Sequence, residues 1–158
     1  MIRSAVRIKR TPRRGMRAAD RVANNLEKAT TVVVGLPKGS NAYPDGTSVI
    51  EVGAVHEFGV GRIPERSFLR STVLEKKREY KRLLASLAKK MVEGMPAPQA
   101  LGLLGTKVQS DVQAKFTDND WPPLSPQAAA NRKNTDPASI TPLVDTGHLR
   151  QSITYEVR

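Results

Sequence analysis

Two short segments carry residue types that could do chemistry. His56-Glu57 sets an imidazole beside a carboxylate, the pair with which a zinc hydrolase binds metal and activates water. That chemistry needs a second histidine four positions on, so that both rings share one helix face, and position 60 is Val. The other histidine is His148, and there is no cysteine. No metal or cofactor is therefore expected, and His56 reads as a partly buried side chain hydrogen-bonded near a turn. Leu143-Val144-Asp145-Thr146-Gly147 has the apolar pair and Asp-Thr-Gly of aspartic proteases, in which two aspartates share one proton. Only eleven residues follow the triplet, fewer than the remaining strands of that fold need, and the preceding chain is rich in helical patterns. Asp145 or Thr146 is expected instead to cap a turn before the last strand. Gly35-Leu36-Pro37-Lys38-Gly39-Ser40 lacks the spacing of a phosphate-binding loop. These readings predict no catalytic residue.

The elements that must position these residues follow from periodicity. Residues 2–9 alternate in the manner of a strand, and Met16, Ala19, Val22, Ala23, Leu26 and Ala29 fall on one helical face. The β-branched run 31–36 reads as a buried strand, and 38–46 as a loop. Thr47 or Ser48, with Glu51 three residues beyond Ser48, predicts the start of a helix that Gly59 ends. A second helix is expected from near Ser67 or Ser71, with Val73, Tyr80, Leu84, Leu87 and Met91 as its stripe, stopped at 94–98. A third runs from about Pro98 to Phe116 on Leu101, Leu104, Val108 and Val112. Residues 117–142 form a long polar, proline-rich loop with one short helical run at 126–132, expected to order on assembly with Trp121 as an exposed anchor. Ile153, Tyr155 and Val157 alternate as a C-terminal strand. The expected class is α+β: a small mixed sheet packed with three to four helices, with a long loop before the last strand. Residues 1–15 would be a basic arm or edge strand, and 16–158 a single domain.

Charge narrows the partners. The chain carries 26 Lys+Arg against 15 Asp+Glu, a net of +11. Residues 1–28 hold nine bases and two acids, and residues 62–90 ten bases and three acids, a net of +7 in each. Such concentration points to an electrostatic partner, either nucleic acid or an acidic protein surface. The candidate outward-facing cations are Arg7, Arg10, Arg13, Arg14, Arg17, Arg62, Arg66, Arg70, Lys76 and Lys77. Phe68 and Tyr80 are the only aromatics in the second segment and the first has none, so any DNA contact would be independent of sequence. No apolar run approaches the roughly 18 residues of a membrane span, and the polar, arginine-rich N-terminus does not read as a secretory signal. The missing cysteines fit a reducing cytoplasm.

Three segments together resemble a phage family. Ala54-Val55-His56-Glu57-Phe58-Gly59, followed by Ile63-Pro64-Glu65-Arg66-Ser67-Phe68-Leu69-Arg70, is similar to the A-x-x-H-E-F-G and I-P-x-R-P-F-L-R core of tail-component and virion-morphogenesis proteins of tailed bacteriophages. Trp121-Pro122-Pro123-Leu124-Ser125 resembles their W-x-P-L-S loop, and the segment from Pro142 through Asp145, Thr146, Gly147 and Leu149 to Ile153 resembles their P-L-x-D-T-G-x-L-x-x-S-I ending. Ser67 stands where the family often has Pro, and the basic arm lies outside the pattern. The resemblance implies a non-enzymatic structural protein that completes the tail or forms part of the head–tail neck. It implies a ring homo-oligomer located in the virion and assembled in the host cytoplasm. Its partners would be a tail terminator, tail tube or head–tail connector, with possible non-specific contact to packaged DNA and none to membrane. The motif residues would then serve folding and assembly: glycines for tight turns, Pro64 for an extended approach to a helix, Phe68 and Leu69 as anchors. The alternatives are a sequence-independent DNA-binding protein and, from Asp145-Thr146-Gly147, an aspartic-type protease.

Overall fold

The computed structural model describes residue 20 and residues 31–39, 42–118, 120–132 and 141–158. The strand expected over 2–9, the helix over 16–29 and the cations Arg7, Arg10, Arg13, Arg14 and Arg17 lie outside the described residues. The class is α+β. In chain order the elements are β1 (Val32–Gly35), α1 (Val49–Phe58), α2 (Phe68–Glu75), α3 (Lys77–Glu93), α4 (Ala97–Lys115), α5 (Pro126–Ala130), α6 (His148–Gln151) and β2 (Thr154–Val157). β1 and β2 form an antiparallel ribbon in which Val32 faces Val157 and Gly35 faces Thr154.

α4 is the central element and packs against both strands and against α2 and α3. Its predicted stripe is the buried face: Leu101, Leu104, Val108, Val112 and, just beyond its end, Phe116 are all buried. Phe68 at the start of α2 meets Phe116 with ring centroids 4.6 Å apart. Ile153 and Val49 complete the fully enclosed centre. β2 approaches α4 closely because α4 has no side chain at Gly105. A Cβ there would sit 2.4 Å from the Tyr155 ring.

Two expectations about the second helix are corrected. The chain over 68–93 is not one helix. The backbone at Lys76 leaves helical geometry (φ −95°, ψ 9°) and divides it into α2 and α3. The break resets the helical phase, so a single stripe cannot serve both halves. Val73 and Leu84 are 45% and 42% exposed, whereas Thr72 is buried in α2, and Leu87 and Met91 in α3, with Tyr80 and Leu83 packed beside them. At α1 the expected cap forms: the Glu51 amide donates to Ser48 Oγ at 3.4 Å, and Gly59 ends the helix at φ +69°. Among the described residues no helix is long and apolar enough to cross a membrane.

Candidate functional site

The site grows from the turn between α1 and α2. Gly59, Val60 and Ile63 fold back as a tight loop in which Val60 and Ile63 exchange backbone hydrogen bonds at 3.1 and 2.9 Å. Gly59 is required there: its positive φ excludes most side chains, and a Cβ would lie 2.8 Å from the Glu65 amide nitrogen. The loop returns the chain so that the Arg66 amide donates to the His56 carbonyl at 2.7 Å. It thereby brings Glu57 to the amino end of α2.

Glu57 is only 4% exposed. Its carboxylate accepts from the Leu69 amide at 2.9 Å, the Arg70 amide at 2.9 Å, Ser67 Oγ at 2.8 Å and Arg70 Nε at 3.0 Å. Ser67 holds the N-cap position of α2, yet its side chain donates to Glu57 and does not cap the helix. The carboxylate from α1 takes over that role, where the unpaired amides and the positive end of the helix dipole favour an anion. Such a set of charge-assisted bonds is worth on the order of 2–4 kcal/mol against leaving the amides unpaired. Arg70 also reaches the Glu57 carbonyl at 2.7 Å and Glu65 at 2.8 Å, and lies over the Phe58 ring at 4.7 Å.

Arg66 is 2% exposed and does not face outward, which corrects its place among the surface cations. Its fork donates from Nε to the Pro122 carbonyl at 2.9 Å and from Nη2 to the Pro123 carbonyl at 3.1 Å, with Nη1 3.4 Å from His56 Nδ1. Because guanidinium can only donate, His56 Nδ1 must accept, which leaves the ring proton on Nε2. Burial, then the charges of Arg66 and Arg132, push the His56 pKa down to about 4. Pro122 and Pro123 of the proline-rich loop are therefore anchored on Arg66 of the same chain, and Trp121 does not stand free as expected. Its Nε1 donates to the Lys115 carbonyl at 3.1 Å, and the Lys115 ammonium lies 5.7 Å from the ring centre. Leu124 is half-buried.

The third motif closes the same region. Gly147 is left-handed (φ +78°) at the start of α6, Leu149 is buried, and Thr146 Oγ1 accepts from the His148 amide at 3.4 Å. Thr146 thus supports the turn before β2 in the expected manner. Asp145 lies 3.7 Å from Arg132 Nη1. A cavity of about 220 Å³ lies between these residues and α1, lined by Tyr43, Asp45, His56, Arg132, Asp145 and His148 among others. Burial raises the Tyr43 phenol above its ordinary value against the opposing charge of Arg132. His56 is neutral and accepts from Arg66, while Arg132 pairs with Asp145 across 3.7 Å and donates from Nη2 to the Pro142 carbonyl at 2.7 Å. Among the described residues no cluster of three or more His, Asp or Glu could hold a metal ion.

No family model, curated protein or solved structure matches this chain.

The other sequence-predicted cations divide into two groups. Arg70 is used by Glu57 and Glu65, and Lys76 donates to Asp111 at 2.8 Å. Arg62 and Lys77 are exposed and form no ion pair with a described residue. Sequence reasoning passed over Asp111, and it placed Arg132 beyond the W-x-P-L-S segment without giving it a role. Asp111 is buried and accepts from Lys76, Tyr80 and Lys107. Burial raises its carboxyl, and the bonds from Lys107, Lys76 and Tyr80 outweigh this and hold it below its ordinary value. An acid directly before Val112 on the buried stripe, with Lys107 four residues earlier, was the available signal.

Proposed function

We propose that this protein is a structural assembly component of a tailed-bacteriophage virion, acting in tail completion or the head–tail neck as a ring oligomer. The observation that carries this reading is the convergence of two of the motif segments on Arg66, with the third closing the adjacent cavity. His56 comes from the first segment, Arg66 from its continuation and the Pro122 and Pro123 carbonyls from the second, all within hydrogen-bond reach. Asp145 of the third meets Arg132 beside them. These residues spend their polar groups on one another and on backbone, which is the use a structural motif makes of them. The loop they brace projects apolar side chains: Phe58, Val60 and Ile63 are 62%, 57% and 42% exposed. Three exposed apolar side chains on one tight loop suit burial against a second copy of the chain.

The test is deletion of the reading frame from its parent phage genome, with electron microscopy of the lysate. Filled heads and separate tails that fail to join are expected, and the purified chain should form closed rings by mass photometry. Infectious particles at normal yield after deletion would overturn the reading.

A further inference from the structure

We infer that the outer face of α3 is a sequence-independent binding surface for the phosphate backbone of duplex nucleic acid. At roughly 100° per residue, Arg78, Lys81, Arg82 and Lys89 fall on one side of α3, opposite Tyr80, Leu83, Leu87 and Met91. All four cations are exposed, and none pairs with an acid among the described residues. The inner flank of the same helical layer is arranged differently. Lys76 and Lys107 share Asp111, Lys107 also takes Glu79, and Lys115 takes Glu75 and Asp118. Acids are thus supplied to the cations that face other elements and withheld from those that face away. Like charges one turn apart destabilise a helix, as Arg78 with Arg82 must, so the row carries a cost that a counter-charged partner removes.

The chemistry of the row selects the partner. From residue 78 to residue 89 it extends about 16 Å along the helix axis, a length over which a duplex presents about nine phosphates. Between its cations stands only Ala85. A stable protein partner would need an apolar or aromatic centre to exclude water from the contact, and between Arg78 and Lys89 the row has none, exposed Val92 lying past its end. It also holds no aromatic or amide side chain to stack on or read a base, so its contacts are with phosphate alone. The inference is independent of the assembly reading, because it concerns the isolated chain in any oligomeric state.

The test is fluorescence anisotropy of the full chain with a labelled 30-base-pair duplex of arbitrary sequence, titrated between 50 and 200 mM salt. The variant R78Q/K81Q/R82Q/K89Q is compared with K38Q/R62Q/K90Q/R150Q, which removes the same charge from exposed positions off the row. The row variant should bind at least tenfold more weakly and lose about three to four units of the log–log salt slope. The control should stay within about threefold of the parent. Equal losses in both variants would mean that net charge alone attracts the duplex, and would overturn the assignment. So would unchanged binding by the row variant, or row-dependent binding of poly-glutamate as tight as that of duplex. Thermal melts of both variants should match or exceed the parent's. A row variant that melts lower would show that the cations serve the fold, which also counts against the proposal.

Discussion

Glu57 and Arg66 carry opposite charges on either side of one tight loop, yet each spends itself elsewhere. The carboxylate turns to amides and to Arg70, the guanidinium to two carbonyls and an imidazole. Arg66 is held by backbone dipoles without a carboxylate among these partners, and burial with the nearby Arg132 lowers its pKa. Burial of the ring, and then the charges of Arg66 and Arg132, keep His56 neutral down to about pH 4. The unfolded chain takes up that proton below about pH 6.5. His56 therefore leaves stability unchanged above pH 6.5 and erodes it as pH falls from 6.5 toward 4, where the unfolded state binds more protons. Allowing for partial hydration of the ring, the loss across that window is about 2 kcal/mol. Urea denaturation at pH 7 and pH 4.5 measures it. The variant H56N keeps an acceptor for Arg66 without a titrating group and should flatten the dependence. An unchanged slope in H56N would assign the loss to other groups.

At the scale of elements, the contact between α4 and β2 sets the thickness of the domain, and Gly105 sets that contact. G105A would place a methyl group into the Tyr155 ring, at a cost of about 1–3 kcal/mol. Alanine otherwise favours a helix interior over glycine by about 1 kcal/mol. The sign should therefore reverse with the neighbour: G105A lowers the melting temperature in the parent and is neutral or stabilising in a Y155A background. A loss of equal size in both backgrounds would place the strain somewhere other than the ring. The same contrast explains which elements could be read from the sequence. α1 and α4 were legible because a local signal fixes each of them, a Ser48 cap with a Gly59 stop and an unbroken apolar stripe. The division at Lys76 has no such signal, and the apparent stripe through Val73 and Leu84 ran across it. The motif segments were visible as segments, but the inward turn of Arg66 was not. Its partners are carbonyls 56 and 57 residues away, and a carbonyl leaves no mark on residue type.

For the molecule as a whole, charge is distributed against the compact state. The net is +11, and each of two segments of fewer than thirty residues carries +7. Folding gathers part of this excess onto the outer face of α3, where Arg78, Lys81, Arg82 and Lys89 stand exposed along one helix. Repulsion among them opposes folding, and mobile counter-ions relieve it, since the screening length falls from about 30 Å at 0.01 M to about 3 Å at 1 M salt. Salt also weakens attractive pairs, but those here are of two kinds. The Glu57 and Asp111 contacts are buried at the carboxylate and little screened, while the pairs of exposed Glu65, Glu75, Glu79, Asp118 and Glu156 each contribute little at any ionic strength. Repulsion is therefore the larger salt-sensitive contribution. The melting temperature should rise between 20 and 500 mM NaCl by about 2–4 °C, the shift that roughly 1 kcal/mol produces in a domain of this size. Neutralising the four cations of α3 should raise the low-salt melting temperature and shrink the response, because the source of repulsion is then gone. A melting temperature that falls with salt would mean that attractive surface pairs dominate, and that the cationic face of α3 carries no folding penalty for a partner to relieve.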